Sequence, residues 1–328
     1  MRLVAAERIE IQVIVDNVLD MLSSAPRFVL REAQQLRRLG MKRTTGGALC
    51  CASHGLSLLV TAHGPDGPRR LLFDGGPVDM AMERNGMRLG VDFGGIEAVV
   101  LSHGHWDHAG GLPQALGMMR AANGGRATPL YLHPGMFRER GMRQADGGVL
   151  PMDFIPTPAE WTAMGAQPVI TTQPQWALDG LFYVSGEIPR VTPYERGLPG
   201  QVAREADGAA WESDELLMDE RFLAVRLAGK GVVVFSACSH AGVVNVLHAA
   251  RAAFPEDALF AVMGGFHLSG ENERIIPETV HDIGGFDLPW IIPAHCTGWR
   301  AVNALERAYG ERVVPAAVGK LFTLDAAM

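Results

Sequence analysis

Residues 98–112 read AVVLSHGHWDHAGGL. The apolar run AVVL predicts a buried strand that delivers Ser102 to its end. The six residues after Ser102 hold three of the chain's 11 histidines and one aspartate: His103, His105, Asp107 and His108. In an extended segment, residues two apart face the same side, so His103 and His105 present their imidazoles together. Asp107 and His108 follow past Trp106 and turn toward a neighbouring position. Packing alone is a poor explanation, because burying so much polarity without a partner costs several kcal/mol. Imidazole plus carboxylate on a strand end is instead a ligand set for Zn, Fe or Mn. Gly110 and Gly111 are read as the flexible exit that lets the chain turn away.

Outward from this loop, further strand-like runs end in polar or glycine-rich loops: IEIQVIVDN, LSLLVTA, RRLLFDGG, PLYLHPG, FLAVRLAG, GVVVFSACSH, ALFAVMGGFH and WIIPAHCTG. Several are continuously apolar, as strands covered on both faces are. RFVLREAQQLRRLG and AGVVNVLHAARAAF read as helices. The early strands follow one another too closely for βαβ units. The mixture predicts an α/β fold built as a four-layer αββα sandwich. One domain over 1–328 is expected, with a long irregular insertion at about 140–220 that forms a lid over the site. Pro151, Pro156, Pro158, Pro168, Pro174, Pro189, Pro193 and Pro199 mark that stretch.

Hydrophobic residues make up 48% of the 328 and charged residues 20%, the balance of a globular enzyme. A formal net charge of −7 gives no electrostatic reason to expect nucleic acid or an anionic membrane as partner, though a local pocket for a phosphorylated substrate stays open. Acidic residues break up the N-terminal apolar stretches, and no apolar run is long enough for a bilayer. Cys50, Cys51, Cys238 and Cys296 are too scattered for a disulfide framework. A cytoplasmic, reducing location is expected, and a homo-oligomer is compatible with all of this.

The segment SHGHWDHAGG resembles the signature of the metallo-β-lactamase superfamily, and the resemblance extends to LFDGG (residues 72–76), FSACSHAG and IIPAHCTG. It implies two divalent metal ions, Zn first with Fe and Mn as alternatives. His103 and His105 would hold one ion, with Asp107, His108 and His295 holding the second. A narrower resemblance, carried by VDN (residues 15–17), SHGLSLLV, SGEIPR, CSHAGVVN and MGGFHL, is to a branch of dihydropterin-ribofuranosylaminobenzene phosphate synthases and related hydrolases.

Two departures from the superfamily pattern shape the site expected here. Where most members supply a third histidine to the first ion, this chain reads SGEIPR with Glu187. Where most carry a bridging aspartate, it reads FSACSH, offering Cys238 and His240. His240 is taken as the replacement ligand, with Glu187 and Cys238 as further candidates and Asp74 as an acceptor that orients a ligand histidine. Asn17, His54, His267 and Arg190 are read as substrate-contacting, Arg190 through bidentate bonds to a phosphate. His63, His133, His248, His281, Cys50 and Cys51 are read as structural or solvated.

The resulting expectation is a hydrolase in which metal ions turn water into hydroxide near neutral pH for attack on an ester, a phosphoester above all. Asp107 would be the catalytic carboxylate. One alternative is a transferase joining a dihydropterin diphosphate to an aryl riboside phosphate. It predicts stacking surfaces and cations from Trp161, Trp176, Arg190, Tyr194, Arg196 and Trp211. The other is a metal-containing binding or regulatory protein with little turnover. A β-lactam substrate is disfavoured by the missing bridging aspartate and by the N-terminus, which does not read as a secretion signal.

Overall fold

Alternation along the strands sorts their side chains into three cores. The computed structural model describes residues 3–205, 208 and 210–328. Leu58, Val60, Leu71, Phe73, Ala98 and Val100 point into one core, while Leu59, Leu72 and Val99 point into another. In strand Arg8–Val15 a register irregularity between Val13 and Val15 breaks the alternation. Val13 therefore stays in the first core while Ile14 and Val15 join the second.

Among the described residues, one sheet has eight strands in the order Ala166–Ile170, Thr128–Leu132, Ala98–Val100, Gly67–Phe73, Ser57–Gly64, Arg8–Val15, Leu321–Asp325, Val29–Leu30. A second has seven, running Gln175–Ala177, Phe182–Val184, Leu223–Leu227, Gly231–Ser236, Leu259–Gly264, Trp290–Pro293, with Ala5–Ala6 beside Leu223–Leu227. Phe182, Leu223, Val233, Phe235 and Met263 of the second sheet meet Ile9, Ile11, Val60 and Phe73 of the first in the shared core. Helices Asp79–Arg88 and Leu112–Ala122 cover the outer face of the first sheet. Helices Val243–Ala253, Ile276–Ile283 and Trp299–Tyr309 cover the second. The architecture is an αββα sandwich, as its strand pattern predicts.

Residues 140–220 differ from the irregular insertion expected. Ala166–Ile170 closes the edge of the first sheet and pairs in parallel with Thr128–Leu132. Gln175–Ala177 and Phe182–Val184 extend the second sheet. Trp211–Ser213, Gln201–Arg204, Arg140–Arg143 and Val149–Pro151 form a separate four-stranded sheet. The prolines misled because three of them are compatible with regular structure: Pro151 ends a strand, Pro158 opens a helix, and Pro168 lies within the edge strand Ala166–Ile170, while the others fall in the loops between elements. Pro158 opens helix Pro158–Ala163, capped by Thr157 and Glu160.

Candidate metal centre

Strands from both sheets end at the site. Strand Ala98–Val100 leads into Ser102 and His103, and His105 then precedes the short helix Trp106–Ala109 that carries Asp107 and His108. In the second sheet, Gly231–Ser236 leads to Cys238 and His240, Leu259–Gly264 to His267, and Trp290–Pro293 to His295 and Cys296. Asp74, Ser239, His267 and His295 have positive φ of 61°, 57°, 41° and 45°. Left-handed backbone is strained for such residues and persists only where the surroundings fix it. Just after Ser239 and at His295 buried carboxylates do so: Glu220 accepts from the amides of His240 at 2.8 Å and Ala241 at 2.6 Å, and Asp16 accepts from the amide of His295 at 2.8 Å.

Each of four buried imidazoles has one nitrogen anchored outward and the other turned inward. His103 Nδ1 donates to Ser102 Oγ at 2.8 Å, because that hydroxyl spends its own proton on Asp74 Oδ2. His105 Nε2 donates to Gln201 Oε1 at 2.7 Å. His108 Nδ1 donates to Asp74 Oδ2 at 2.7 Å, and His295 Nδ1 to Asn17 Oδ1 at 2.9 Å. These anchors leave lone pairs at His103 Nε2, His105 Nδ1, His108 Nε2 and His295 Nε2, all facing one space. His103 Nε2 and His105 Nδ1 stand 3.0 Å apart, where two lone pairs repel unless a cation lies between them. His240 is buried with both ring nitrogens unpartnered, and its ring is 4.8 Å from that of His103 and 4.9 Å from that of His105.

Donor atoms of His103, His105 and His240 lie within 4.8 Å of one another and could hold one ion. Asp107 Oδ2 is 3.3 Å from His295 Nε2 and 3.8 Å from His108 Nε2, a second group able to hold another. Cys238 Sγ lies 3.1 Å from His108 Nε2 and also belongs to a compact donor group with His240 and His267. It therefore stands between the two groups. Orphaned donors, the facing lone pairs and the mixed N, O and S chemistry all fit divalent metal.

The electrostatics agree. Burial, followed by the neighbouring imidazoles, holds His103 well below the ordinary histidine range, and burial with Arg140 lowers His105 to about 4. Burial and His267 keep His240 low. All three are neutral imidazoles at physiological pH, the form that a metal ligand requires. Burial would raise the Asp107 carboxyl, but His108, His295 and His105 outweigh it and hold it well below the usual carboxylate range. His108 differs: burial opposes its charge, yet Asp107 and Asp74 push it up to about 9, so without a cation its Nε2 holds a proton, and the lone pair there is free only when a metal ion takes that proton's place.

Several readings of the sequence change here. Glu187 lies outside the donor groups; it faces His133 Nε2 at 3.3 Å on a half-exposed side chain. Arg190 is no phosphate clamp, because its guanidinium donates to the carbonyls of Ile188, Leu216 and Leu217. The expected stacking wall is dispersed. Trp161 is in the core behind the first sheet, Trp176 packs on Tyr183 and Trp211 lies under Arg204. The Tyr194 hydroxyl donates to Asp282, and Arg196 Nε to the carbonyl of Pro193. Gly110 and Gly111 have ordinary negative φ; they are needed for room. A Cβ on Gly110 would fall 1.9 Å from the Pro77 carbonyl oxygen, and one on Gly111 2.2 Å from that of Gly75.

Asn17, His54 and His267 do line the site, a cavity of about 320 Å³ shared with Trp106, Met152 and Leu198. His133 is a buried N-cap, His248 packs on Phe286, His63 pairs with Glu10, and Cys50 lies in a small apolar cluster.

Besides Glu220, three site-building residues gave no signal in the sequence. Gln201 arrives from the accessory sheet, 96 positions from His105. Asp219 accepts from the Gly104 amide at 2.8 Å and holds Arg140 through two bonds of 2.6 and 3.0 Å. Arg140 in turn donates to the Gly104 carbonyl at 3.2 Å, so the peptide between His103 and His105 is gripped from both ends.

Residues 57–151 match the metallo-beta-lactamase superfamily, a segment that includes the whole histidine loop. Over that segment the chain is similar to the superfamily. Superfamily members typically bind divalent metals. Two relatives come from Methanocaldococcus jannaschii. One, 7,8-dihydropterin-6-methyl-4-(beta-D-ribofuranosyl)-aminobenzene-5'-phosphate synthase, is 27% identical over 82% of this chain and 90% of its own. The other, uncharacterized protein MJ0448, is 28% identical over 78% of this chain and 88% of its own. The fold resembles that of the crystal structure of Tm1679, a metal-dependent hydrolase of the beta-lactamase superfamily. It superposes with a TM-score of 0.69 at 22% identity, covering 97% of this chain and 99% of that one. Among the described residues, no helix is long and apolar enough to cross a membrane.

Proposed function

We propose that this protein is a metal-dependent hydrolase of esters, with a phosphodiester as the substrate type that suits the site best. The observation that carries the reading is the set of inward lone pairs: His103, His105, His108 and His295 are each fixed by an outward acceptor, and His240 is left with no partner at all. In this reading His103, His105 and His240 hold one ion and Asp107, His108 and His295 the other, with Cys238 available to both. Bound there, divalent ions supply Lewis acidity and bring the pKa of a water toward neutrality.

The rest falls to the chain's own groups. Ser102, Gln201, Asp74 and Asn17 fix the imidazole tautomers, so no reorganisation is needed when substrate arrives. Asp107 brings a fixed negative charge to the second group. His54 sits at the mouth, its Nδ1 accepting from Asn17 Nδ2 at 3.2 Å, which places its proton on Nε2, 3.5 Å from Asp107 Oδ2. Burial lowers its proton affinity, so there it stands as a neutral imidazole that can donate a hydrogen bond to a substrate oxygen. The cavity lining includes no lysine or arginine, so a singly charged diester is accommodated more readily than a terminal phosphate.

A second reading, pterinyl-methyl transfer to an aryl riboside phosphate, is supported by the name of the 27% identical relative. The test is turnover of bis(4-nitrophenyl) phosphate by metal-reconstituted protein. Loss of activity on chelation, its return with Zn, Mn or Fe, and its absence in His103→Ala and Asp107→Asn are expected. Coupled product from a dihydropterin diphosphate and an aryl riboside phosphate, with every diester left intact, would overturn the hydrolase reading in favour of the transferase.

A further inference from the structure

Trp106 has two faces in use. One side looks into the metal cavity, where its ring lies 6.0 Å from that of His54. The other walls a second groove of about 530 Å³, formed between the start of helix Asp79–Arg88, helix Trp106–Ala109 and residues 153–156. The two spaces also meet along the chain, since Met152 lines the first and Asp153 and Phe154 line the second.

The groove is apolar and open. Phe154 is 68% exposed, Met80 64% and Val78 43%, so three large apolar side chains stand together in water beside a candidate active site. Scattered apolar residues are ordinary on a surface, but a cluster that continues a binding cavity marks a ligand groove. The Trp106 and Phe154 rings and the Met80 thioether are groups that prefer aromatic partners. Charge narrows the choice further. The charged side chains of the lining are two carboxylates, Asp79 and Asp153, and an anionic group there would be repelled.

We propose that this groove is the second half of the substrate site and receives a flat, uncharged aromatic arm of the ester, laid against Trp106 between Phe154 and Met80. The proposal rests on the hydrolase reading for what lies at the other end of the arm. Its test is separate, because binding of the arm alone is measured. Metal-loaded protein is titrated with 2-naphthol and, as the anionic counterpart, 2-naphthalenesulfonate, following the anisotropy of each fluorophore. 2-Naphthol is expected to bind about tenfold tighter than the sulfonate, the discrimination due to the two carboxylates. Phe154→Ala and Met80→Ala should each weaken 2-naphthol about fivefold, the size of one aromatic contact, without changing metal content. With methyl 2-naphthyl phosphate the same variants should raise KM and leave kcat in place.

Equal affinity for the two naphthalenes would overturn the proposal, as would unchanged 2-naphthol binding in both variants. A dimer in sedimentation that Phe154→Ala converts to monomer would mean that a second copy fills the groove, and would overturn it too. Naphthol binding that the variants weaken, in a protein that turns over no ester, would leave the groove standing and remove the hydrolase reading. Diester turnover without naphthol binding would do the reverse.

Discussion

Gln201→Leu separates the accessory sheet's part in the metal centre from a merely structural one. Gln201 is fully buried; its Oε1 accepts the Nε2 proton of His105 at 2.7 Å, and its Nε2 donates to Asp214 Oδ2 at 3.2 Å. Leucine has nearly the same volume but no acceptor, so packing is retained. The His105 Nε2–H is then buried without a partner, which costs about 1–3 kcal/mol. His105 can escape that cost by moving its proton to Nδ1, the nitrogen that faces His103 Nε2 at 3.0 Å. Doing so destroys a ligand lone pair. Removing such an orienting partner typically lowers metal affinity about 10–100-fold. The assay is competition for Zn against a chromophoric chelator, with a thermal melt of the metal-free protein alongside. The expected result is a weaker first ion and an unchanged second. Gln201→Glu, which keeps an acceptor, should restore the affinity. If Gln201→Leu binds both ions as tightly as the parent, the bond does not set the tautomer and the reasoning fails.

Other perturbations test neighbouring parts of the design. Asp219→Ala leaves Arg140 buried with one carboxylate fewer and frees the Gly104 peptide, and should cost about 3–5 kcal/mol in chemical denaturation; a loss below about 1 kcal/mol would show that Asp214 suffices for Arg140. Gly110→Ala would place its Cβ 1.9 Å from the Pro77 carbonyl oxygen. It is expected to yield insoluble or metal-poor protein, and a normal melt with full metal content would refute the steric account. Burial raises the Glu195 carboxyl from 4.5 to about 7, against the bonds it accepts from the Val244 and Asn245 amides. The folded state therefore holds this proton more tightly than the unfolded chain. Its stabilising effect is complete below about pH 4.5 and is lost as pH rises to about 7, at about 1.4 kcal/mol per unit. Comparing denaturant midpoints of the parent and Glu195→Gln across that window should show the parent falling relative to the variant; parallel curves would contradict the shift.

Much of the fold was legible because it rests on local rules. Continuous apolar runs ending in glycine or a polar residue marked the strands of both sheets, since burial on two faces demands it. The cluster His103, His105, Asp107 and His108 was visible because four ligand-type residues in one loop need no tertiary information to be suspicious. His240, His295, Asp74, Asn17, His54 and His267 were reachable because each sits in a short motif at a strand end.

What failed to show did so for equally physical reasons. Residues 140–220 looked irregular because their strands are only three to five residues long and so carry little periodic signal. Glu187 and Arg190 carry the right chemistry for a site, but side-chain direction is set by the packed strand end. The fold turns Glu187 to His133 and spends Arg190 on backbone carbonyls. A glutamine 96 positions from the histidine it orients has no local signature whatever. By itself the sequence determined which residues of metal-ligating type are present and on which strand ends they ride. Only the tertiary structure decided which lone pairs face one another, that Cys238 stands between the two donor groups, and that Trp106 lines both a histidine-rich cavity and an apolar groove. Those are relations of distance and direction between segments far apart in the chain, and composition and spacing do not encode them until the two sheets close on each other.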